Sequence, residues 1–252
     1  MSNRARLDVL NDMRTNGELL VLDLSVAARD AGKEFVALDV GANVGEWTCA
    51  LQKSLSANSA SSRIYAFEPV ASTRLLLAKN LGQRARASVT VIPAGLSNVA
   101  GAGLMFVVDD GAGTNSLHAG DRPPNRTEEV VMDTVDRFCA QEKIDHVDFM
   151  KIDTEGHDFA VLEGSLGMLG RSAIDVVQFE YNHRWVFAHR FLRDVFAFLE
   201  PLHYRLGKVT PFGVEFYDAW HPELETFREG NYLACQDAIT GRFPAVRWWN
   251  AD

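Results

Sequence analysis

Asp39-Val40-Gly41-Ala42-Asn43-Val44-Gly45 brings an acid, an amide and two glycines together between the apolar run Phe35–Val40 and a helical pattern. A buried strand that turns into a helix through such a segment is how an open α/β sheet seats a nucleoside-bearing cofactor. Glycines let the backbone bend and come close to the ligand, and the helix start behind them offers unpaired N–H groups. A second acid, Glu68 in Ile64-Tyr65-Ala66-Phe67-Glu68-Pro69, closes the next strand-like run 23 residues past Gly45. There a carboxylate can accept both ribose hydroxyl protons.

A third group follows the run Val147–Ile152: Asp153, Glu155, His157 and Asp158. Asp153 falls at the carboxyl end of that strand, where ligands meet an open sheet. One of these four is the expected proton acceptor. His157 suits the role because a helix N-terminus disfavours the imidazolium, leaving a neutral nitrogen near pH 7. The plainer alternative makes Asp153 and Glu155 helix caps and His157 a surface residue. Glu180 and Asn182 follow the next strand, so Asp153, Glu180 and Asn182 could together hold a hard cation such as Mg²⁺. The favoured alternative is a metal-free site in which Glu180 orients substrate or Arg184, since His157 already offers a proton acceptor.

Alternating elements must position these residues. Strand-like runs recur at Phe35–Val40, Arg63–Phe67, Val89–Ile92, Val147–Ile152 and Ile174–Phe179, mostly separated by helical patterns long enough for right-handed crossovers. That rhythm predicts a mostly parallel, doubly wound sheet. Apolar periodicity over residues 4 to 31, carried by Leu7, Leu10, Leu20, Leu24 and Ala27 and interrupted near Asn16-Gly17, predicts two helices ahead of it. The expected organisation is an N-terminal helical cap over residues 1–33 and one α/β domain over 34–252. Leu104–Val108 and Glu129–Met132 read as extra strands flanking a Gly/Asp/Asn/Pro-rich loop from Asp109 to Arg126, a candidate lid or substrate loop whose Asn115 and Ser116 either contact cofactor or acceptor or, as is usual for polar loop residues, are simply solvated. Tyr204–Val209 and Asn231–Cys235 predict a closing antiparallel pair joined by an irregular aromatic segment, Pro211–Phe227. Trp185, Phe187, His189, Phe212, Phe216, Tyr217 and Trp220 are candidates for the wall of an acceptor site.

Composition narrows the partner. A net charge of −9 with no basic run argues against nucleic acid and against an anionic membrane surface. Three scattered cysteines, Cys49, Cys139 and Cys235, indicate neither a disulfide framework nor a zinc site, and predict reduced thiols in a cytoplasmic protein. A homodimer partner is the expected cover for Trp248 and Trp249.

The turn itself discriminates between cofactors. A dinucleotide needs close approach of its pyrophosphate at the second glycine, where Asn43 stands instead, and Asp39 suits an ammonium or sulfonium better than a diphosphate. A nicotinamide-dependent oxidoreductase remains the rival, disfavoured by Asn43 and by the lack of a Tyr-x-x-x-Lys pair. Together with Ala94-Gly95-Leu96-Ser97, Thr134-Val135-Asp136 and Lys151-Ile152-Asp153-Thr154-Glu155-Gly156-His157-Asp158, these motifs resemble the FkbM family of S-adenosylmethionine-dependent methyltransferases from about Phe35 to Asn182. The resemblance implies a Rossmann-like class I methyltransferase fold: a mostly parallel seven-stranded sheet, helices on both faces and an antiparallel closing strand. It also implies O-methylation of a small-molecule hydroxyl on a sugar or polyketide-type natural product, with N-methylation of an amino sugar or peptide amine as the alternative. On this reading Asp39, Gly41, Asn43 and Gly45 face the methionine end and Glu68 and Pro69 the ribose. Gly95, Leu96 and Ser97 meet the adenine, while Asp153, Glu155, His157 and Glu180 stand over the transferred methyl.

Overall fold

Continuous apolar runs become the centre of the sheet because both of their faces are covered. In the computed structural model, which describes residues 10–30, 32–85, 88–111, 113–120 and 123–247, Phe35–Val40 forms β1, buried along its whole length. Its side chains alternate. Val36, Leu38 and Val40 enter one core, and Phe35 and Ala37 enter the other. Two layers of helices must therefore sandwich the sheet.

The chain supplies them in the expected rhythm. After α1 (Glu18–Ala27) and β1 come α2 (Glu46–Ala57), β2 (Ser62–Phe67), α3 (Ala71–Ala85), β3 (Val89–Ile92), β4 (Gly95–Leu96), β5 (Gly101–Val107) and β6 (Arg126–Asp133). Then follow α4 (Val135–Gln141), β7 (Val147–Ile152), α5 (Asp158–Glu163), α6 (Leu166–Gly170), β8 (Ile174–Tyr181), α7 (Leu192–Leu199), β9 (Tyr204–Thr210), β10 (Gly213–Phe216) and β11 (Gly230–Gln236). The main sheet has the order β10-β9-β11-β8-β7-β1-β2-β3. From β3 to β8 neighbours are parallel; β11, β9 and β10 close it antiparallel. The sheet thus has eight strands where seven were expected. The extra one is β10, hidden in the aromatic segment Pro211–Phe227, where Thr210 Oγ1 donates to Gly213 O and ties the hairpin that returns the chain.

The expected extra strands exist and are longer than their apolar patterns suggested. β5 and β6 pair antiparallel and, with β4, make a separate three-stranded sheet. It covers its own small core of Val70, Met105, Val107, Val130 and Met132. Thr134-Val135-Asp136 serves to join helices. Thr134 caps α4 by accepting the Arg137 amide, and Asp136 accepts the Gly167 and Met168 amides at the start of α6.

The N-terminal expectation needs correction. Residues 10–17 form turns rather than the end of a first helix. Asn16-Gly17 is the start of α1, with Asn16 Oδ1 accepting the Glu18 amide. Val21, Leu22 and Val26 of α1 then share a core with β1 and with Trp47, Leu51 and Leu55 of α2. Leu7, Trp248 and Trp249 lie outside the described residues. Among the described residues no helix is long and apolar enough to cross a membrane.

Candidate active site

Gly41 carries the first constraint. It has φ 84, and a Cβ there would stand 2.0 Å from Asp153 O, so only glycine lets the turn after β1 pass against the end of β7. That crossing is held by the Asp153 amide donating to Val40 O at 2.9 Å, and by the Gly41 and Ala42 amides donating to Phe67 O. Asn43 follows with φ 47, a left-handed position that asparagine tolerates well. Its amide donates to Glu68 Oε2 at 3.1 Å, while Glu68 Oε1 accepts the Val70 amide at 2.8 Å. Three strand ends thereby meet around one cleft.

The cleft has two compartments. The inner one, about 660 Å³, is walled by Val40, Glu68, Pro69, Val70, Gly95, Leu96, Met105, Leu117 and Met132. The outer one, about 1540 Å³ and open to solvent, is lined by Asn11, Asp12, Arg14, Glu18, Asp39, Glu46, Trp47 and Lys151 among others. Gly41, Asn43 and Asp153 border both. A largely apolar slot, with Glu68 on one wall and Asp153 and Glu155 at its mouth, thus opens into a charged vestibule. The 109–126 loop covers the inner compartment with Leu117 and Asn115. Asn115 spends its amide closing that loop, accepting from the Val108 amide and donating to Asp109 O, and Ser116 Oγ donates to Glu155 O at 2.8 Å.

Burial sets the electrostatics. It pushes Glu68 up to about 7 against the two amides it accepts, and Asp39 up to about 6 against its hydrogen bond from Thr48. Lys151, buried in β7, would be lowered by desolvation, but Asp153, Glu18 and Glu180 outweigh that and raise it. Its Nζ lies 3.1 Å from Asp153 Oδ2 and 3.7 Å from Glu18 Oε2. Glu155 is pushed up to about 8 by burial and by Asp153. Arg184 Nη1 approaches Glu155 Oε2 to 2.7 Å as an ion pair without hydrogen-bond alignment. Burial, then Asp153 and Glu155, also raise Glu180 well above the usual range.

The expected catalytic residues separate on inspection. Asp153, Glu155 and His157 line the inner compartment, and Glu180 lies behind them, its carboxyl oxygen within 4.8 Å of those of Asp153 and Glu155. His157 has both ring nitrogens engaged: Nε2 is 2.9 Å from Ser97 Oγ and Nδ1 is 3.1 Å from His118 Nε2. Burial and then His118 hold it down at about 4, so it is neutral. Asp158 is buried and accepts the Gly156 amide. Asn182 does not join the acid group as a ligand, because its Oδ1 caps the turn at Arg184 N and its Nδ2 donates to Glu180 Oε2. Glu155 takes the place expected for Asn182 beside Asp153 and Glu180.

Several expected cofactor contacts also divide. Glu68, Pro69, Gly95 and Leu96 wall the inner compartment, and Asp39 the outer. Gly45 and Ser97 border neither. Gly45 faces Leu77, where a Cβ would sit 2.5 Å from Cδ1, and Ser97 stands behind His157. Of the aromatic candidates, Phe187 borders a side pocket with Glu155 and Arg184, whereas Trp185 is core against Phe179 and Tyr181 and Phe212 is exposed.

A polar network was missed. Asn11 donates to Glu180 Oε1 at 2.6 Å and to Glu229 Oε1 at 2.7 Å. Glu18 accepts from Asn16, Gln178 and Asn231 beside Lys151. One signal was present: a lysine inside the apolar run Val147–Ile152 must find acids wherever it is buried.

The FkbM methyltransferase domain matches residues 39–206, spanning the glycine turn, the Asp153 turn and the strands between. The chain belongs to the FkbM methyltransferase family. Membership removes the nicotinamide alternative. The FkbM methyltransferase of Methylobacillus flagellatus KT is similar in structure, with a TM-score of 0.50 at 16% identity over 84% of this chain and 47% of that one. This FkbM chain thus spans about half the length of that relative, and the likeness is one of fold. SMU.1697c of Streptococcus mutans, in complex with SAH, aligns with a TM-score of 0.48 at 12% identity over 87% of this chain and 97% of that one. No curated protein matches the chain significantly.

Proposed function

We propose that this FkbM domain moves a methyl group from S-adenosylmethionine to a hydroxyl of a sugar or polyketide-type small molecule in natural-product assembly. The observation that carries the reading is the two-compartment cleft, because one ligand with an apolar nucleoside and a zwitterionic amino-acid end needs both kinds of wall. Asn43 Oδ1 and Thr154 Oγ1 support the fit: both are buried without a partner, and both residues line the inner compartment. Glu68 and Pro69 would hold the ribose, Gly95 and Leu96 the adenine, and Asp39, Gly41 and Asn43 the amino-acid end. When bound, the donor supplies a methyl carbon already activated by its sulfonium.

The chain must then align the acceptor and take its proton. Asp153 is the best placed acceptor of that proton, since it alone among the expected catalytic residues borders both compartments. Lys151, whose Nζ donates to Asp153 Oδ2, holds it oriented. His157, with both nitrogens committed, positions the loop through His118 and the turn through Ser97. The closeness of Asp153, Glu155 and Glu180 is also what a bridging Mg²⁺ would use. Free thiols at Cys49, Cys139 and Cys235 fit a cytoplasmic setting.

Labelled methyl transfer to a panel of glycosides and polyketide alcohols tests this, with the product site read by NMR. Asp153→Asn is expected to cut turnover by about 10²–10⁴-fold, with EDTA harmless. An N-methyl product would replace the hydroxyl acceptor by an amine. EDTA-sensitive turnover restored by Mg²⁺ would replace the proton acceptor by a metal.

A further inference from the structure

The outer compartment has an imbalance of charge. Asp12, Glu18, Asp39, Glu46 and Asp153 contribute five carboxyl groups to its wall, against two cations, Lys151 and Arg14. Lys151 is already committed to Asp153 and Glu18 and is buried with Glu18. Arg14 is not. Its backbone amide donates to Asp12 Oδ1 at 3.0 Å, but its guanidinium is exposed and makes no ion pair or hydrogen bond among the described residues.

The segment that carries Arg14 is nevertheless pinned. On one side Asn11 is clamped to Glu180 and Glu229. On the other, the Thr15 and Asn16 amides donate to Asp12 O, and Asn16 bonds both Asn11 and Glu18. Gly17, at φ 100, then passes so close to β9 that a Cβ would lie 2.1 Å from Thr210 O. A cation without a partner among the described residues is thus presented from a fixed loop at the mouth of an acidic vestibule.

An α-amino acid brings one charge of each sign. Its ammonium has acids to choose from, whereas its carboxylate would face five like charges unless a cation met it. We infer that Arg14 binds the α-carboxylate of the methyl donor, as an ion pair made from outside the family-matched residues 39–206. This rests on the S-adenosylmethionine reading above. It gives the N-terminal segment a binding role that neither the glycine turn nor the family motifs assign.

Calorimetry with two nucleosides separates the two ideas. S-adenosylhomocysteine carries the amino-acid end, and 5′-methylthioadenosine lacks it. Arg14→Ala, an exposed change, is expected to weaken S-adenosylhomocysteine by about tenfold to a hundredfold while leaving 5′-methylthioadenosine unchanged, with Arg14→Lys recovering part of the loss. Unchanged S-adenosylhomocysteine affinity in Arg14→Ala would overturn the inference, as would equal weakening of both compounds. Wild-type protein that binds neither would sink the donor reading itself.

Discussion

The two compartments of the cleft are built in opposite ways. The inner one is made by short-range geometry: Glu68 is fixed by the Asn43 and Val70 amides, and Gly95, Leu96 and Met132 come from paired strands. The outer one is made by side chains from distant parts of the chain, with Asn11 reaching Glu180 across 169 positions and Glu18 reaching Asn231 across 213. One wall is a consequence of topology. The other is a charge network that must be complete to be stable at all.

Deleting the central cation should therefore have the largest effect. Lys151→Met leaves buried Glu18 and Glu180, and half-exposed Asp153 beside them, without their common partner and is expected to cost about 3–5 kcal/mol of stability. Met132→Leu, a volume-conserving change in the inner wall, is expected to cost less than about 1.5 kcal/mol. Urea denaturation of both variants checks the contrast. Equal losses would mean that the outer network is no more cooperative than ordinary packing.

A second effect, gradual rather than abrupt, sharpens the same comparison through pH. Glu155 is raised from 4.5 to about 8 in the folded protein, so between those values the folded state holds more protons than the unfolded one. Stability must then fall as pH rises through that window, at most by about 1.4 kcal/mol per pH unit for one group. Glu155→Gln removes this proton and should flatten the decline. A denaturation series from pH 5 to 8 with the same slope in both proteins would place the titration elsewhere.

How much of this was legible follows from the same division. The turn after β1, Glu68 and the acids after β7 could be read because each is a local pattern at a strand end. Gly45 and Ser97 were read as ligand contacts because motif positions do not say which residues face the cleft and which pack behind it. Asn182 looked like a ligand, yet its oxygen is spent capping the next turn. β10 was hidden because aromatic residues in Pro211–Phe227 masked a short hairpin. Asn11, Arg14 and Glu18 had no local pattern to announce them, since their meaning depends on strands more than a hundred residues away.

The central claim is that the inner compartment holds the ribose of S-adenosylmethionine on Glu68. Titrating S-adenosylhomocysteine into the wild-type protein and Glu68→Ala by calorimetry tests it most directly. One-to-one binding to the wild type, weakened in the variant by about 1.5–3 kcal/mol, the range for hydrogen bonds to a charged group, is the expected result. The same affinity in both proteins would contradict the claim.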